Sequence, residues 1–394
     1  MRLTKRAVFL YLTLGFLTAF GPFVTDFYLP AMPAMAIDLR TSPQLVSLSI
    51  TMGMLGLALG QLLIGPLSDK YGRRKPLLAS LAIFIVASVA CLFAPDVYTL
   101  NVLRVFQGFG GAGGIVLSKS MSTDMYSGED LAKFMAVLAA INGVAPVSAP
   151  VIGGVLMSVT GWRGIFAVLL MVGVVLFACS CFLSESLDEG RRQRGGLLHA
   201  YANLFRVFRN PLYLFPVLLE IGSFLMFFAY LASSPFILQE DYGVSPLAYS
   251  VAFAVNAFMI GVGSGLCGLF RHLRSSLLCG GVLAICASCL AALCLLADAP
   301  LLALLACYAA ALTGFGLMQP AATSIALDAE RGNAGAASAV FGASNFVAGA
   351  VASPLVAFGG MRVGTSVVMV AGAAVAMSFA VLLFCWLGRA ESAK

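Results

Sequence analysis

The chain has 394 residues, of which 61% are hydrophobic and 10% charged, with 23 Lys and Arg against 17 Asp and Glu. A composition this apolar excludes a water-soluble globular protein and makes the bilayer the solvent. The formal charge of +6 is a positive-inside bias summed along the chain and requires no nucleic-acid partner. Apolar stretches long enough to cross a hydrocarbon core follow one another at 7–29, 45–67, 76–94, 99–121, 133–157, 164–183, 212–236, 246–270, 277–297, 300–325, 335–358 and 364–387. The expectation is an all-α polytopic membrane protein of twelve transmembrane helices. With the N-terminus inside, the basic residues collect at one face: Arg2, Lys5, Arg6, Lys70, Arg73, Arg74, Lys75, Lys119, Lys133, Arg191, Arg192, Arg194, Arg206, Arg209, Arg271, Arg274, Arg331, Arg389 and Lys394. Only Arg40, Arg163 and Arg362 fall outside, and Arg104 lies within a span. A miscounted helix would scramble that asymmetry, so both termini are expected in the cytoplasm. The first apolar segment lacks a small-residue cleavage site and is expected to remain as the first helix.

Three ionisable residues fall inside spans, where charge is costly and therefore a functional candidate: Asp26, Arg104 and Glu220. The first helix is expected to end near Pro30, which leaves Asp26 about 6 Å below the outer boundary. Arg104, entering from Thr99, lies about 7–8 Å below it. The similar depths suggest an ion pair, serving either proton coupling or helix packing alone. Leu100, Arg104, Gln107 and Gly108 share one helical face. Glu220 either snorkels to the inner face or enters a cavity.

Between the second and third spans runs Gly65-Pro66-Leu67-Ser68-Asp69-Lys70-Tyr71-Gly72-Arg73-Arg74-Lys75. There Gly65 would let helices approach, Gly72 would free the turn backbone, and Asp69 would offset part of the Arg73/Arg74/Lys75 charge. Asp124, ending the fourth helix, is close enough in topology to join a latch at this face. The fifth helix carries Pro146 and Pro150 at i, i+4, which bend it, followed by Gly153 and Gly154, which allow close contact. Asn142, Asn256 and Asn345 fall near the middle of helices five, eight and eleven, with Phe227 and Tyr230 on helix seven. They form either interhelical hydrogen bonds and packing or a mixed amide and aromatic lining for a small molecule. Hydrophobicity collapses between Ser184 and Pro211, which divides the chain into 1–183, a cytoplasmic linker 184–210, and 211–394. The segment Gly268–Arg274, where the opening motif would repeat, has no aspartate. The ten cysteines lie almost wholly in spans, so no disulfide framework is expected, and Cys286-Ala-Ser-Cys289 reads as small packing residues. His199 and His272 fall in connections. Neither reads as a ligand, so no metal is expected.

The G-x-L-S-D-x-x-G-R-R turn resembles the loop between helices two and three of the major facilitator superfamily. The Arg104 face is similar to the fourth-helix motif of its drug:proton antiporters. Residues 142–154 look like their G-P-x-x-G-G signature, with Ala149 where glycine is usual. Thr25-Asp26-Phe27-Tyr28-Leu29-Pro30, Ser234-Pro235-Phe236-Ile237-Leu238 and Trp162-Arg163 resemble the bicyclomycin/chloramphenicol-resistance (Bcr/CflA) branch. The resemblance implies two six-helix bundles in a bacterial inner membrane, working as a monomer. It also implies efflux of small amphipathic drugs by alternating access, without a cofactor, driven by protons through Asp26 and Arg104. A metabolite such as a nucleoside, sugar or amino acid is the alternative cargo. A membrane enzyme would need a nucleophile, metal cluster or acid/base pair, and no such constellation is visible in the sequence.

Overall fold

The computed structural model describes residues 5–192, 207–330 and 334–392. Arg2, Arg194, His199, Arg206, Arg331 and Lys394 of the charge reading, and much of the 184–210 linker, lie outside the described residues. The helices are α1 (Lys5–Thr18), α2 (Phe20–Asp26), α3 (Met32–Asp38), α4 (Pro43–Tyr71), α5 (Arg74–Leu92), α6 (Val97–Met125), α7 (Gly128–Cys181), α8 (Pro211–Phe236), α9 (Pro246–Cys267), α10 (Leu273–Leu296), α11 (Leu301–Ala329), α12 (Ala334–Ala357) and α13 (Met361–Ser392). Ten of them are long and apolar enough to cross a membrane, and the bent pair Val8–Thr18 and Phe20–Asp38 makes an eleventh crossing. The 54-residue α7 breaks at Gly161, whose φ of 68° and ψ of −175° interrupt the helix. Counting it as two spans gives the twelve read from the sequence. Contacts divide the chain into an N-terminal unit, Met1–Ala200, and a C-terminal unit, Tyr201–Lys394.

Local chemistry sets the helix starts. Ser42 and Pro43 open α4, Asn210 and Pro211 open α8, and Ser245 and Pro246 open α9. In each pair the side-chain oxygen accepts an orphan N–H while proline occupies a position that needs no donor. Asp96 caps α6 by accepting from Thr99 N at 2.8 Å. The first span departs from expectation. It bends by 40° between Thr18 and Phe20, and it does not end at Pro30. A 3-10 turn, Leu29–Ala31, hands the chain to α3, with Pro30 and Pro33 in first-turn positions where a missing N–H costs nothing. The span that holds Asp26 therefore continues past it to Asp38.

Small residues bring the helices together. A Cβ at Gly56 or Gly60 would strike the carbonyl oxygens of Val105 and Phe109, and one at Gly110 would lie 2.5 Å from Phe84 N. These contacts seat α6 against α4 and α5 with backbones touching. In the C-terminal unit, α11 meets α9 and α10 in the same way through Gly263, Gly280 and Gly314.

Candidate functional site

In the N-terminal unit, Arg104 is fully buried. Its Nη1 donates to Gln107 Oε1 at 2.5 Å, its Nη2 to Val24 O at 2.6 Å and its Nε to Ser49 O at 3.4 Å. The guanidinium carbon lies 4.4 Å from the centre of the Tyr28 ring. Gln107, also fully buried, donates onward to Ser88 at 2.8 Å. Gly53 makes the room, since a Cβ there would lie 2.9 Å from Nη2. The planar fork is thus satisfied by carbonyls, an amide and an aromatic face.

The expected ion pair does not form: among the described residues, no salt bridge includes Asp26 or Arg104. Depth fixed the height of the two groups but not their azimuth. Each helical residue turns the side chain by about 100°, and it is the Val24 carbonyl, not the Asp26 carboxylate, that meets Arg104. Asp26 is 5% exposed, and its Oδ1 lies 2.7 Å from the Thr25 hydroxyl. That hydroxyl is also 3.0 Å from Gly21 O. A hydroxyl has one proton and serves one of these acceptors at a time. With Asp26 ionised, Thr25 donates to the carboxylate and leaves Gly21 O. With Asp26 protonated, the acid donates to Thr25 and Thr25 donates to Gly21 O, so every group is paired.

The C-terminal unit gathers aromatic residues. Phe227 stacks on Phe315 with centroids 5.2 Å apart, and Phe224 and Phe228 complete the cluster at 5.0–6.1 Å. Tyr230 meets Tyr308 edge-on at 4.9 Å, and its hydroxyl accepts from Asn256 Nδ2 at 2.9 Å. Asn256 therefore ties α9 to α8. The Asn345 amide, with its nitrogen turned to the acceptors around it, donates to Phe341 O at 3.2 Å and to Glu220 Oε1 at 3.1 Å. Glu220 is 1% exposed, which overturns the snorkelling alternative. Asn142 is exposed on α7 and joins none of these groups.

At the turn, Arg73 bridges Asp69 at 2.5 Å and Asp124 at 2.8 Å and donates to Ser68 at 2.7 Å. Arg74 instead reaches Cys181 O at 2.6 Å, so Asp69 offsets Arg73 and not the whole cluster. Gly72 takes a φ of 87°, a conformation open chiefly to glycine. Gly65 is not a close-approach residue, since an added Cβ would rest 3.7 Å from Val116 in ordinary contact. Nothing in the sequence marks Glu185, a residue of the 184–210 linker, as part of this turn. Partial burial works against its charge, yet the N–H groups of Arg73, Leu187, Arg74 and Ser186 outweigh it and hold the carboxyl below the usual glutamate range. Its pattern, an acid following the sixth span and facing a tight turn, carries no local signal.

On α7, Gly153 packs so closely that a Cβ would strike Phe27 O, and Gly154 is buried. Pro146 and Pro150 lie within the helix. Each unit holds a further paired arginine. Arg163 bridges Asp38 at 2.5 Å and Leu92 O at 3.2 Å while stacking on Trp162, whose Nε1 donates to the same Asp38 at 2.8 Å. Arg362 pairs with Asp241 at 2.6 Å and with Asp298. Cys286 and Cys289 are exposed and do not pack in the interior, because the seam of α10 is taken by Gly280, Ala284 and Ala287.

Among the described residues, no group of three or more His, Cys, Asp or Glu could hold a metal. A helical chain of twelve spans in two units, with ionisable residues enclosed within them, is the build of a transporter. The description "Major Facilitator Superfamily" matches residues 14–353, and the chain belongs to that superfamily. It is 33% identical over 362 residues to the MFS-type transporter YdgK of Bacillus subtilis strain 168, covering 89% of each chain. It is 29% identical to a bicyclomycin resistance protein homolog of Haemophilus influenzae, over 64% of each chain. A chloramphenicol resistance protein of Pseudomonas aeruginosa is 31% identical over 59% of this chain and 55% of its own. The resemblance to the bicyclomycin/chloramphenicol-resistance branch is thus carried by relatives as well as by motifs. In fold, the chain is similar to a bacterial homolog of the human lysosomal transporter Spinster solved inward-facing, with a TM-score of 0.73, 17% identity and 96% coverage of both.

Proposed function

We propose that this protein is a proton-coupled antiporter that exports small amphipathic drugs of the chloramphenicol and bicyclomycin kind. It would sit in the bacterial inner membrane with both termini cytoplasmic, work as a single chain by alternating access, and use no cofactor. The observation that carries the reading is the Thr25–Asp26–Gly21 relay, a buried carboxyl without a cation whose hydrogen bonds can all be satisfied when it holds a proton. Arg104 is then a positioning residue: it holds the Val24 carbonyl two residues from Asp26 and fixes Tyr28 and Gln107 around it. The aromatic cluster of Phe224, Phe227, Phe228 and Phe315 supports a flat apolar cargo, since Phe224 and Phe227 are only half-buried. Tyr230, Asn256 and Asn345 hold that wall in place by hydrogen bonds between helices.

The test is uptake of labelled chloramphenicol, bicyclomycin and a panel of nucleosides, sugars and amino acids into inverted vesicles under an imposed proton gradient. Drug accumulation that collapses with the gradient and is absent from Asp26→Asn is the expected result. Accumulation of a metabolite and of no drug would replace the cargo and keep the mechanism. Drug accumulation at wild-type level in Asp26→Asn would remove Asp26 from coupling.

A further inference from the structure

The C-terminal unit encloses a second carboxyl that the reading above does not use. Glu220 stands on α8 ten residues before Tyr230, whereas Asp26 stands two residues before Tyr28, so the two acids are not copies of one position. Glu220 Oε1 receives the Asn345 amide of α12, Gln319 of α11 faces the same carboxyl, and Oε2 has no hydrogen-bond partner. Gln319 Nε2 is also without a partner.

The helices packed most heavily against α8 are α11, α12 and α13, and α9 meets it through Asn256 and Tyr230, with Tyr249 and Cys267 as its ionisable residues. On α11 the ionisable residues are Cys307 and Tyr308 towards one end and Asp328 at the other, and α12 carries none. On α13 the level of Glu220 is marked by Gly372 and Ala376, against which Gly222 packs. Arg362 lies ten residues from Gly372, about 15 Å along the helix. Arg389 lies thirteen residues beyond Ala376, about 20 Å, with Glu391 further still and Cys385 exposed between them. On α8 itself there are Tyr213 and Tyr230. Among the described residues, no cation on these elements comes near the carboxyl.

An ionised carboxylate here would be desolvated, without a cation and short of one hydrogen bond, a costly state for a buried acid. A proton on Oε2 removes the charge and turns a partnerless acceptor into a donor, which the Gln319 amide accepts once it turns its oxygen to the acid. We propose that Glu220, with Asn345 and Gln319, is a second proton-binding site, housed wholly in the C-terminal unit and loaded and emptied independently of Asp26. The proposal rests on the proton-coupled reading of the chain. It also places a proton one helical turn from Phe224 of the aromatic cluster, so cargo there and the proton influence each other's occupancy.

Infrared spectroscopy of the purified full chain, titrated with pH in the absence of cargo, tests this directly through the C=O stretch of protonated carboxylic acids. The wild type should show such a band that fades as pH rises. Glu220→Gln should remove about half of its titrating amplitude, Asp26→Asn the other half, and the double variant all of it. An undiminished band in Glu220→Gln overturns the proposal whatever Asp26→Asn does. Loss in Glu220→Gln with no change in Asp26→Asn would instead overturn the Asp26 reading and leave Glu220 standing. Should Glu220→Gln fail to elute as a folded species, Glu220→Asp keeps an acid but moves its carbonyl away from Asn345, and must shift the band. An unshifted band there also overturns the proposal.

Discussion

The two units pack their helices alike and fill the same place with different chemistry. In the N-terminal unit, Gly60 of α4 faces Phe109 O of α6, and in the C-terminal unit Gly263 of α9 faces Thr313 O of α11. Gly110 and Gly314 likewise face α5 and α10. Stepping back six residues from each of the latter pair reaches Arg104 in one unit and Tyr308 in the other. Stepping back seven from Gly60 and Gly263 reaches Gly53 and Asn256. Where the first unit leaves a glycine so that a guanidinium fits, the second has an amide that bonds the neighbouring Tyr230. Tyr28 lies under Arg104 as Tyr230 lies against Tyr308. A shared backbone register can therefore carry a buried cation in one half and only neutral groups in the other. Each unit also closes its opposite face with an arginine at the start of a span, Arg163 on Asp38 and Arg362 on Asp241 and Asp298.

The largest break in this comparison should come from Asp26→Asn, which is expected to reduce proton-driven efflux to the background of empty vesicles while the protein still inserts and elutes as wild type. Retained efflux would mean that the charged half is not the coupling half. Next, Arg104→Ala should destabilise the protein by about 3 kcal/mol, because Val24 O, Ser49 O and Gln107 lose their donor inside the core. Arg104→Lys should recover only part, since an ammonium lacks the planar fork. At the corresponding site, Tyr308→Phe should be within about 0.5 kcal/mol of wild type, because its hydroxyl has no partner to lose. Thermal melts in one detergent check the contrast, and equal losses at both sites would dissolve it.

Asn256→Ala should cost about 1 kcal/mol through loss of the Tyr230 bond. The smallest effect belongs to the turn. Because the Glu185 carboxyl is held below the usual glutamate range, its docking contributes stability at neutral pH. That contribution is lost as pH falls through the lowered folded-state value. Melting temperature should therefore drop on acidification below the ordinary glutamate range, and Glu185→Gln should flatten that part of the profile. A profile unchanged in Glu185→Gln would show that the carboxylate adds nothing to the N–H cradle.

The readings that succeeded rested on properties that add up along the chain, and those that failed rested on direction. Apolar length and the recurrence of Arg and Lys required twelve spans, and the tight turn at Gly72 is a local feature. Residue type alone marked Asp26, Arg104 and Glu220 as expensive. The Asp26–Arg104 pair failed because matching depth leaves rotation about the helix axis free. Glu185 was overlooked because its four donors come from two segments more than a hundred residues apart.

What the sequence by itself determined is the class of protein and its list of costly residues, since burying a charge in lipid needs a reason wherever the charge points. Only the tertiary structure decided who meets whom. Arg104 goes to a backbone carbonyl, a glutamine and a tyrosine face, Asp26 goes to a threonine relay, and Glu220 goes to two amides from separate helices. The physical reason is that a hydrogen bond depends on ångström distances and on azimuth. Those are set by which glycines let which helices touch, and that in turn is settled by all the helices of a unit packing at once.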